Sequence, residues 1–269
     1  MLQVICTDAM ELLESLSEVR VGFADPPDNI GLKYATYSDK LRGFDYIFWL
    51  DQIIKLMVQK CNVVWFSYNA KHTFQVGRLV ANLLDSDRTL EAKNCVQIFT
   101  FGQHNQHDLG NNHRPLIRIN RVGETWYTDA IRIPSWRQQH GDPRGDPRGR
   151  VPGDVFDFPR VTGNSKQRRA WHPTQLNEGL VERCLRMSAI PGQTVCDPFA
   201  GTGTTLRVCK QLGLDCITSD VDRQYCENIA REWGLEKATS NFWPNGRWLG
   251  EHGVGIATPF DIRKQFEEK

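Results

Sequence analysis

The chain has no apolar run of the ~18 residues that a membrane span requires. Its amino terminus lacks the basic-then-apolar pattern of a secretory signal, because Asp8, Glu11 and Glu14 come too early. There is no C-x-x-C pair: eight cysteines are scattered singly through 269 residues. That spacing argues against a structural zinc site and for small core residues in a reducing compartment, so a cytoplasmic protein is expected. Net charge is nearly absent, at +1 from 33 basic and 32 acidic residues, so no global positive field advertises a nucleic-acid partner. A full G-x-G-x-x-G fingerprint is also missing, which disfavours a dinucleotide bound by its pyrophosphate. What is present is an ordinary globular composition, 40% hydrophobic and 24% charged, long enough for one large domain or two small ones.

Periodicity then lays out the elements. Leu2 to Cys6 reads as a strand, and Thr7-Asp8 precede a helix with Met10, Leu12, Leu13 and Leu16 on its apolar face. Val21 to Ala24 is a second strand. Phe44 to Lys60 is an amphipathic helix, Asn62 to Tyr68 a strand, and Lys71 to Leu84 a helix. Val96 to Phe101 and Leu116 to Val122 are further strands, and Leu176 to Met187 a helix. Thr194 to Asp197 is a strand, Thr204 to Leu212 a helix, and Cys216 to Ser219 a strand. Strands alternating with helices predict an α/β fold, a mostly parallel twisted sheet with helices on both faces. The tail from Asn241 carries no recognisable chemistry.

Three stretches carry chemistry. Val21 to Ala24 runs into Asp25-Pro26-Pro27-Asp28, where the prolines must end the strand because neither can donate to a ladder. The Asp25 carboxylate is thereby held at the carboxyl end of a core strand, where open α/β sheets bind ligands, although a capped turn alone would also account for the octapeptide. Downstream, a strand ends in Asp197-Pro198-Phe199-Ala200-Gly201-Thr202-Gly203-Thr204-Thr205, a helix follows, and a second strand ends in Asp220, 17 positions after Gly203. Strand, glycine turn, helix, strand and terminal acid make a site for a ribose-bearing cofactor, since glycines allow close approach and the acid accepts from ribose hydroxyls. Between these halves, residues 137 to 169 hold eight basic side chains (Arg137, Arg144, Arg148, Arg150, Arg160, Lys166, Arg168, Arg169) against four acidic ones. Its tandem Gly-Asp-Pro-Arg has no apolar face, so 137–150 is expected to be a mobile loop, either merely solvated or a phosphate-contacting arm. His104, His107 and His113 fit no metal-ligand spacing, and two of the three read as lining for a polar cleft; no metal is expected.

Taken together, these stretches resemble the β group of DNA amino-methyltransferases, which modify exocyclic amines with S-adenosylmethionine as donor. The residues that carry the resemblance are Asp25-Pro26-Pro27-Asp28 for the family's Asp/Asn/Ser-Pro-Pro-aromatic motif and Phe199-Ala200-Gly201-Thr202-Gly203 for its Phe-x-Gly-x-Gly motif. Thr7-Asp8-Ala9 is similar to its Gly-Asp-Ala segment, and His172-Pro173-Thr174-Gln175 to the His-Pro-Thr-Gln segment before its cofactor strand. The resemblance spans residues 2 to 232. It implies a Rossmann-like S-adenosylmethionine-dependent fold with a circularly permuted motif order, in a single domain covering 1–269. It also implies a target-recognition region over 124–157, short enough that a homodimer partner could share the DNA contacts.

The resemblance further implies that Asp197, Phe199, Gly201, Gly203, Thr204 and Thr205 line the cofactor and that Asp220 binds its ribose. Asp8 and Ala9 would sit near its adenine ring, and His172, Thr174 and Gln175 near its methionine end. Asp25 and the Pro26 carbonyl would hold the two hydrogens of the target amine, with Pro27 keeping the backbone rigid. An exocyclic amine is a poor nucleophile because its lone pair is delocalised into the ring, and two acceptors pull it towards tetrahedral geometry. The target base must leave the DNA duplex first. Arg144, Arg148, Arg150, Arg168 and Arg169 would contact DNA. An acid before Pro-Pro favours adenine N6, by family analogy. Cytosine N4, an RNA amine, or a catalytically impaired DNA-binding protein are the alternatives. One residue departs from the pattern. The fourth motif position is normally an aromatic that stacks on the flipped base, and Asp28 cannot stack. Either Tyr34 or Tyr37 supplies the ring, or Asp28 hydrogen-bonds the base or a capping residue and the substrate is gripped differently, or the site is impaired.

Overall fold

The computed structural model describes residues 1–34, 37–99 and 105–235. Eight strands form one sheet: β1 (Leu2–Cys6), β2 (Val19–Ala24), β3 (Cys61–Ser67), β4 (Leu90–Ile98), β5 (His113–Arg121), β6 (Val155–Asp157), β7 (Thr194–Asp197) and β8 (Asp215–Asp220). Their spatial order is β1-β8-β7-β2-β3-β5-β4-β6. Only β5 opposes the rest, because it pairs antiparallel with both β3 and β4 while every other pairing is parallel. The helices are α1 (Ala9–Ser15), α2 (Gly43–Lys60), α3 (Thr73–Ser86), α4 (Trp136–Gln139), α5 (Glu178–Ser188), α6 (Thr204–Leu212) and α7 (Arg223–Trp233).

The two-residue period of β3 shows how the layers are made. Val63 and Trp65 enter the core under α5, α6 and α7, while Val64 and Phe66 enter the core under α1, α2 and α3. All four are essentially solvent-free, and burying side chains of this size stabilises the fold by about 1.5–3 kcal/mol each. The Trp65 indole donates to Ser188 Oγ at 2.9 Å, so its one polar atom is satisfied inside the core. All eight cysteines are free thiols, and seven are buried, as small core residues should be. No helix among the described residues is long and apolar enough to cross a membrane.

Several elements differ from the periodicity. The strand expected from Val96 begins at Leu90, because Glu91 to Asn94 are exposed and carry no apolar signal while their backbone pairs with β5. Phe101, its expected end, lies outside the described residues, as do His104 and the tail from Asn241. β6 is too short to register as a pattern. Residues 137–150, expected to lack regular structure, include most of α4. Ser135 caps that turn by accepting from Gln138 N, and the Gln138 side chain accepts from Ser135 N in return. Arg150 and Ile133 exchange two backbone hydrogen bonds of 2.9 Å, which close the segment.

The order in which strands are added reverses between the parallel neighbours β7 and β2. From β2 the chain moves outward to β3, and from β7 it moves the other way to β8. Loops leaving the two central strands therefore diverge and open a crevice at their carboxyl ends, the topological switch point of an open α/β sheet.

Candidate active site at the switch point

A cavity of about 750 Å³ occupies that crevice. Its walls are the ends of β1 (Asp8, Ala9), β2 (Asp25 to Asp28), β7 (Asp197 to Ala200) and β8 (Asp220 to Asp222), with Arg114 from the start of β5. β5 can contribute because it runs backwards: its first residues lie at the edge where the parallel strands finish.

The Asp25 turn is fixed from two sides. The Tyr46 hydroxyl donates to the Pro27 carbonyl at 2.7 Å, and the His72 ring lies 3.1 Å from the Asp28 carbonyl. Among the described residues nothing donates to the Pro26 carbonyl, although Pro26 lines the cavity. The loop that follows is closed on itself. The Asp39 carboxylate accepts from the backbone of Asn29 (2.7 Å), Ile30 (3.0 Å) and Leu32 (3.0 Å). Asn29 sits in the left-handed region at φ 54 and exchanges two hydrogen bonds with Leu41.

Asp28 is not an idle substitution. Arg114 grips its carboxylate with Nη1 at 3.0 Å and Nη2 at 2.9 Å, and reaches Asp25 Oδ1 with Nη2 at 2.6 Å and Nε at 3.1 Å. Nε also donates to Ser67 Oγ at 2.7 Å. One cation thus serves two acids. Burial pushes the Asp25 carboxyl upward, and Arg114 does not fully offset that with the Asp28 charge alongside. Burial pushes Asp28 up as well, but the Arg114 charge, its hydrogen bonds and one from Asn69 outweigh this and hold Asp28 below the usual carboxylate range.

Across the cavity lies the glycine turn. Gly201 (φ 50) and Gly203 (φ 71) are both left-handed, and a Cβ on Gly201 would stand 3.4 Å from the His172 ring. Asp220 Oδ2 accepts from Gly201 N at 3.0 Å, tying the turn to β8. Buried Arg207 joins Glu178, the Thr202 carbonyl and Thr204 Oγ1, locking the turn to α5. Burial pushes Asp220 up to about 6 and Asp197 up to about 7. Asp8 caps α1 through Met10 N at 2.8 Å, and burial raises its carboxyl too.

Each sequence-expected residue has a definite place. Asp25 to Asp28, Tyr34 and Tyr37 all line the cavity, as do Asp8, Ala9, His172, Thr174, Gln175, Asp197, Phe199, Gly201, Thr204, Thr205 and Asp220. Gly203 does not line it; a Cβ there would meet Ile229 at 3.1 Å, so it serves packing behind the turn. The Gln175 amide is spent on the chain, accepting from Arg169 N and donating to the Gln167 carbonyl. The Tyr34 ring packs edge-on against His172 at 5.7 Å, and the two tyrosine rings meet at 6.0 Å. Arg144, Arg148, Arg150, Arg168 and Arg169 do not reach the cavity. Arg144 pairs with Asp142, Arg148 with Asp146 and Asp129, Arg169 with Glu232, and Arg168 donates to backbone carbonyls. Arg160 and Arg114 are the arginines on the cavity wall. Of the three histidines, His113 lines the cavity and His107 is exposed. Among the described residues no cluster of histidine, cysteine and acidic side chains could hold a metal.

Sequence reasoning missed Arg114. It lies 86 residues from Asp28, beyond any local spacing, and the signal was Asp28 itself, since two acids packed side by side in a buried turn require a cation.

The cavity suits a nucleoside-bearing cofactor on this structure's own evidence. Gly201 leaves room where a methyl group would crowd His172, Asp220 and Asp8 supply acceptors, and the Tyr37 hydroxyl is buried without a partner among the described residues. Known proteins agree with the architecture. A family profile described as DNA methylase matches residues 19–232. The chain is 27% identical to type II methyltransferase M.HpaI of Haemophilus parainfluenzae, over 86% of this chain and 73% of that one. It is 26% identical to DNA adenine methyltransferase YhdJ of Escherichia coli K12, over 82% and 79%. In fold it is similar to the PvuII cytosine-N4-specific DNA methyltransferase, with a TM-score of 0.64 at 14% identity, covering 99% of this chain and 93% of that one. It is also similar to the M1.HpyAVI–SAM complex, with a TM-score of 0.59 at 17% identity, covering 87% and 100%. The chain therefore belongs to the β group of the S-adenosylmethionine-dependent DNA amino-methyltransferases, the N6-adenine and N4-cytosine methylases.

Proposed function

We propose that this protein methylates the N6 amine of adenine in duplex DNA after the base has left the helix. The observation that carries the reading is the pair of acceptors at the end of β2: the Asp25 carboxylate and the Pro26 carbonyl, the latter free of internal partners among the described residues. S-adenosylmethionine, when bound, supplies an electrophilic methyl group. The residues that would hold it are Asp220 at the ribose, Asp8 and Ala9 near the adenine, and His172, Thr174 and Gln175 at the amino-acid end. The wall between would come from Asp197, Phe199, Gly201, Thr204 and Thr205, with Gly203 allowing the turn.

The chain's own part is to prepare the amine. Asp25 accepts one amine hydrogen and the Pro26 carbonyl the other, which frees the nitrogen lone pair from the ring. Both acceptors sit on backbone that the prolines and Tyr46 hold rigid, so aiming them costs no reorganisation at the moment of reaction. The raised proton affinity of Asp25 makes it a stronger acceptor than an ordinary carboxylate. Adenine is favoured over cytosine by the acid at position 25, where serine would favour the smaller ring by family analogy, and a sequence relative carries the adenine name. Residues 124–157 would read the target, and a homodimer would extend the DNA contact.

Labelled-methyl transfer to unmodified DNA and RNA, followed by nucleoside mass spectrometry, tests this. N6-methyladenine from DNA is expected. N4-methylcytosine would overturn the choice of base, methylated RNA nucleosides the choice of substrate, and no product with intact cofactor binding would establish an impaired enzyme.

A further inference from the structure

We propose that Arg114 is the surface on which the extruded base stacks, with Asp28 as the residue that holds its guanidinium flat. The inference rests on the methyltransferase reading above and adds a substrate-contacting residue to it. The candidate rings do not fill this place. Tyr34 packs against His172, on the wall that carries the cofactor segment, and Tyr37 packs against Tyr34. Arg114 stands in the acid turn itself, in contact with Asp25, and it lines the cavity with 19% of its side chain exposed.

The hydrogen-bond geometry decides what Arg114 can offer a ligand. A guanidinium has five N–H bonds, all in its plane. The single Nε–H is shared between Asp25 Oδ1 and Ser67 Oγ. Both Nη2 hydrogens have acceptors, one on Asp25 and one on Asp28, and one Nη1 hydrogen goes to Asp28 Oδ2. With the plane's edge so occupied, little remains for a phosphate, and the broad surface left is the face. A flat, delocalised cation stacks on nucleobases as an aromatic ring does.

The second acid solves an electrostatic problem that such a platform creates. A lone guanidinium against Asp25 would cancel the charge that holds the amine. Asp28 brings the cluster of two carboxylates and one guanidinium back to a net charge of −1, so Asp25 remains an acceptor. Asp28 is in turn anchored, with Asn69 Nδ2 at 3.2 Å from Oδ2 and the His72 ring on its carbonyl. The acid at the fourth position and the arginine on β5 thus act as one unit, and neither works without the other.

Arg114→Lys keeps the charge and removes the plane. Once the methylated position is located in the product, binding is measured to two duplexes, one with the base at that position and one abasic there. Loss of base stacking should weaken Arg114→Lys on the base-containing duplex by about five- to 150-fold, leaving the abasic duplex unchanged. Equal affinity for the base-containing duplex in variant and wild type, or an equal loss on both duplexes, overturns the proposal. A second pair of variants guards against misfolding. Asp28→Tyr alone should fall at least tenfold in kcat/KM because the guanidinium loses its holder. Asp28→Tyr combined with Arg114→Ala should recover most of that loss, since a ring then occupies the vacated place. A double variant no better than the single one counts against the proposal. If the wild-type protein transfers no methyl group at all, the methyltransferase reading fails, and that result is separate from any ranking of variants.

Discussion

Asp197 is a buried acid in the site without a salt-bridge partner among the described residues, and the protein's stability should depend on pH in a way one substitution can isolate. It is 4% exposed at the end of β7, no cation among the described residues pairs with it, and it accepts from Phe199 N at 2.9 Å and from the Thr205 hydroxyl. Burial, with Asp25 and Asp220 adding repulsion, pushes its carboxyl up to about 7 from 3.8. The folded state therefore binds a proton that the unfolded chain releases between about pH 4 and pH 7. Because the folded value is raised, wild-type stability gains as pH falls through 7, and the ionised side chain is a penalty above it. Between pH 8 and pH 5 about two units of that shift are relieved, on the order of 2–3 kcal/mol. Asp197→Asn never titrates. It keeps an acceptor for Phe199 N and loses part of the Thr205 contact, a cost of about 1 kcal/mol that is the same at every pH. Urea unfolding of both proteins at pH 5 and pH 8 should show the variant gaining about 2–3 kcal/mol on the wild type between pH 5 and pH 8, because only the wild type titrates. Taking the difference of differences cancels the hydrogen-bond cost. A gap that is constant across the two pH values, to within about 0.5 kcal/mol, would refute the reasoning.

Four further outcomes are expected. Asp25→Ala should abolish methyl transfer while leaving S-adenosylmethionine affinity by calorimetry within a few-fold, and transfer near the wild-type rate would remove Asp25 from the mechanism. Because Asp25 must be ionised to accept the amine hydrogen and burial raises it, the wild-type rate should fall as pH drops, with an inflection above the ordinary carboxylate range. Gly201→Ala should strain the turn by about 1–2 kcal/mol and press a methyl group on His172, so cofactor affinity should drop at least tenfold; unchanged affinity would show that the turn is not a cofactor cradle. Arg20 ties β2 to the segment after β5 by pairing with Glu124 and donating to the Thr125 carbonyl at 3.1 Å and the Ser188 carbonyl at 2.8 Å. Arg20→Ala should cost about 2 kcal/mol in urea unfolding, with Arg20→Lys only partly better, because a lysine cannot fork to three acceptors.

The central sheet was legible because its strands are buried on both faces and end in turn chemistry. Val21 to Ala24 stops at two prolines, and Thr194 to Asp197 stops at a proline and two glycines, so both sequence and structure mark the same edge. The helix from Thr204 to Leu212 agrees at both ends because left-handed glycines bound it. What escaped was non-local. Glu91 to Asn94 pair with β5 along the backbone and show solvent-facing side chains, so they carry no apolar signal. The basic count over 137–169 was real, but it ignored that Asp142 and Asp146 stand two residues before Arg144 and Arg148 and neutralise them in place. Asp28 was visible as an anomaly and not as a partner, because the guanidinium that explains it arrives on an antiparallel strand.

The strand order also has a consequence for how this chain can be made. β2, which carries Asp25, is hydrogen-bonded on one side by β3 and on the other by β7, whose partner residues lie about 170 positions later. Among the described residues, β1 comes first in chain order and pairs only with β8, which comes last. A nascent chain that has emerged through α5 can therefore assemble the outer half of the sheet while the apolar strands β1 and β2 still present open edges. Long-range parallel pairing is slow to form, and open strand edges recruit other chains. Completion of the cofactor half is thus also the step that seals the catalytic half, so premature termination before Thr194 should yield an aggregating fragment in place of a soluble half-enzyme.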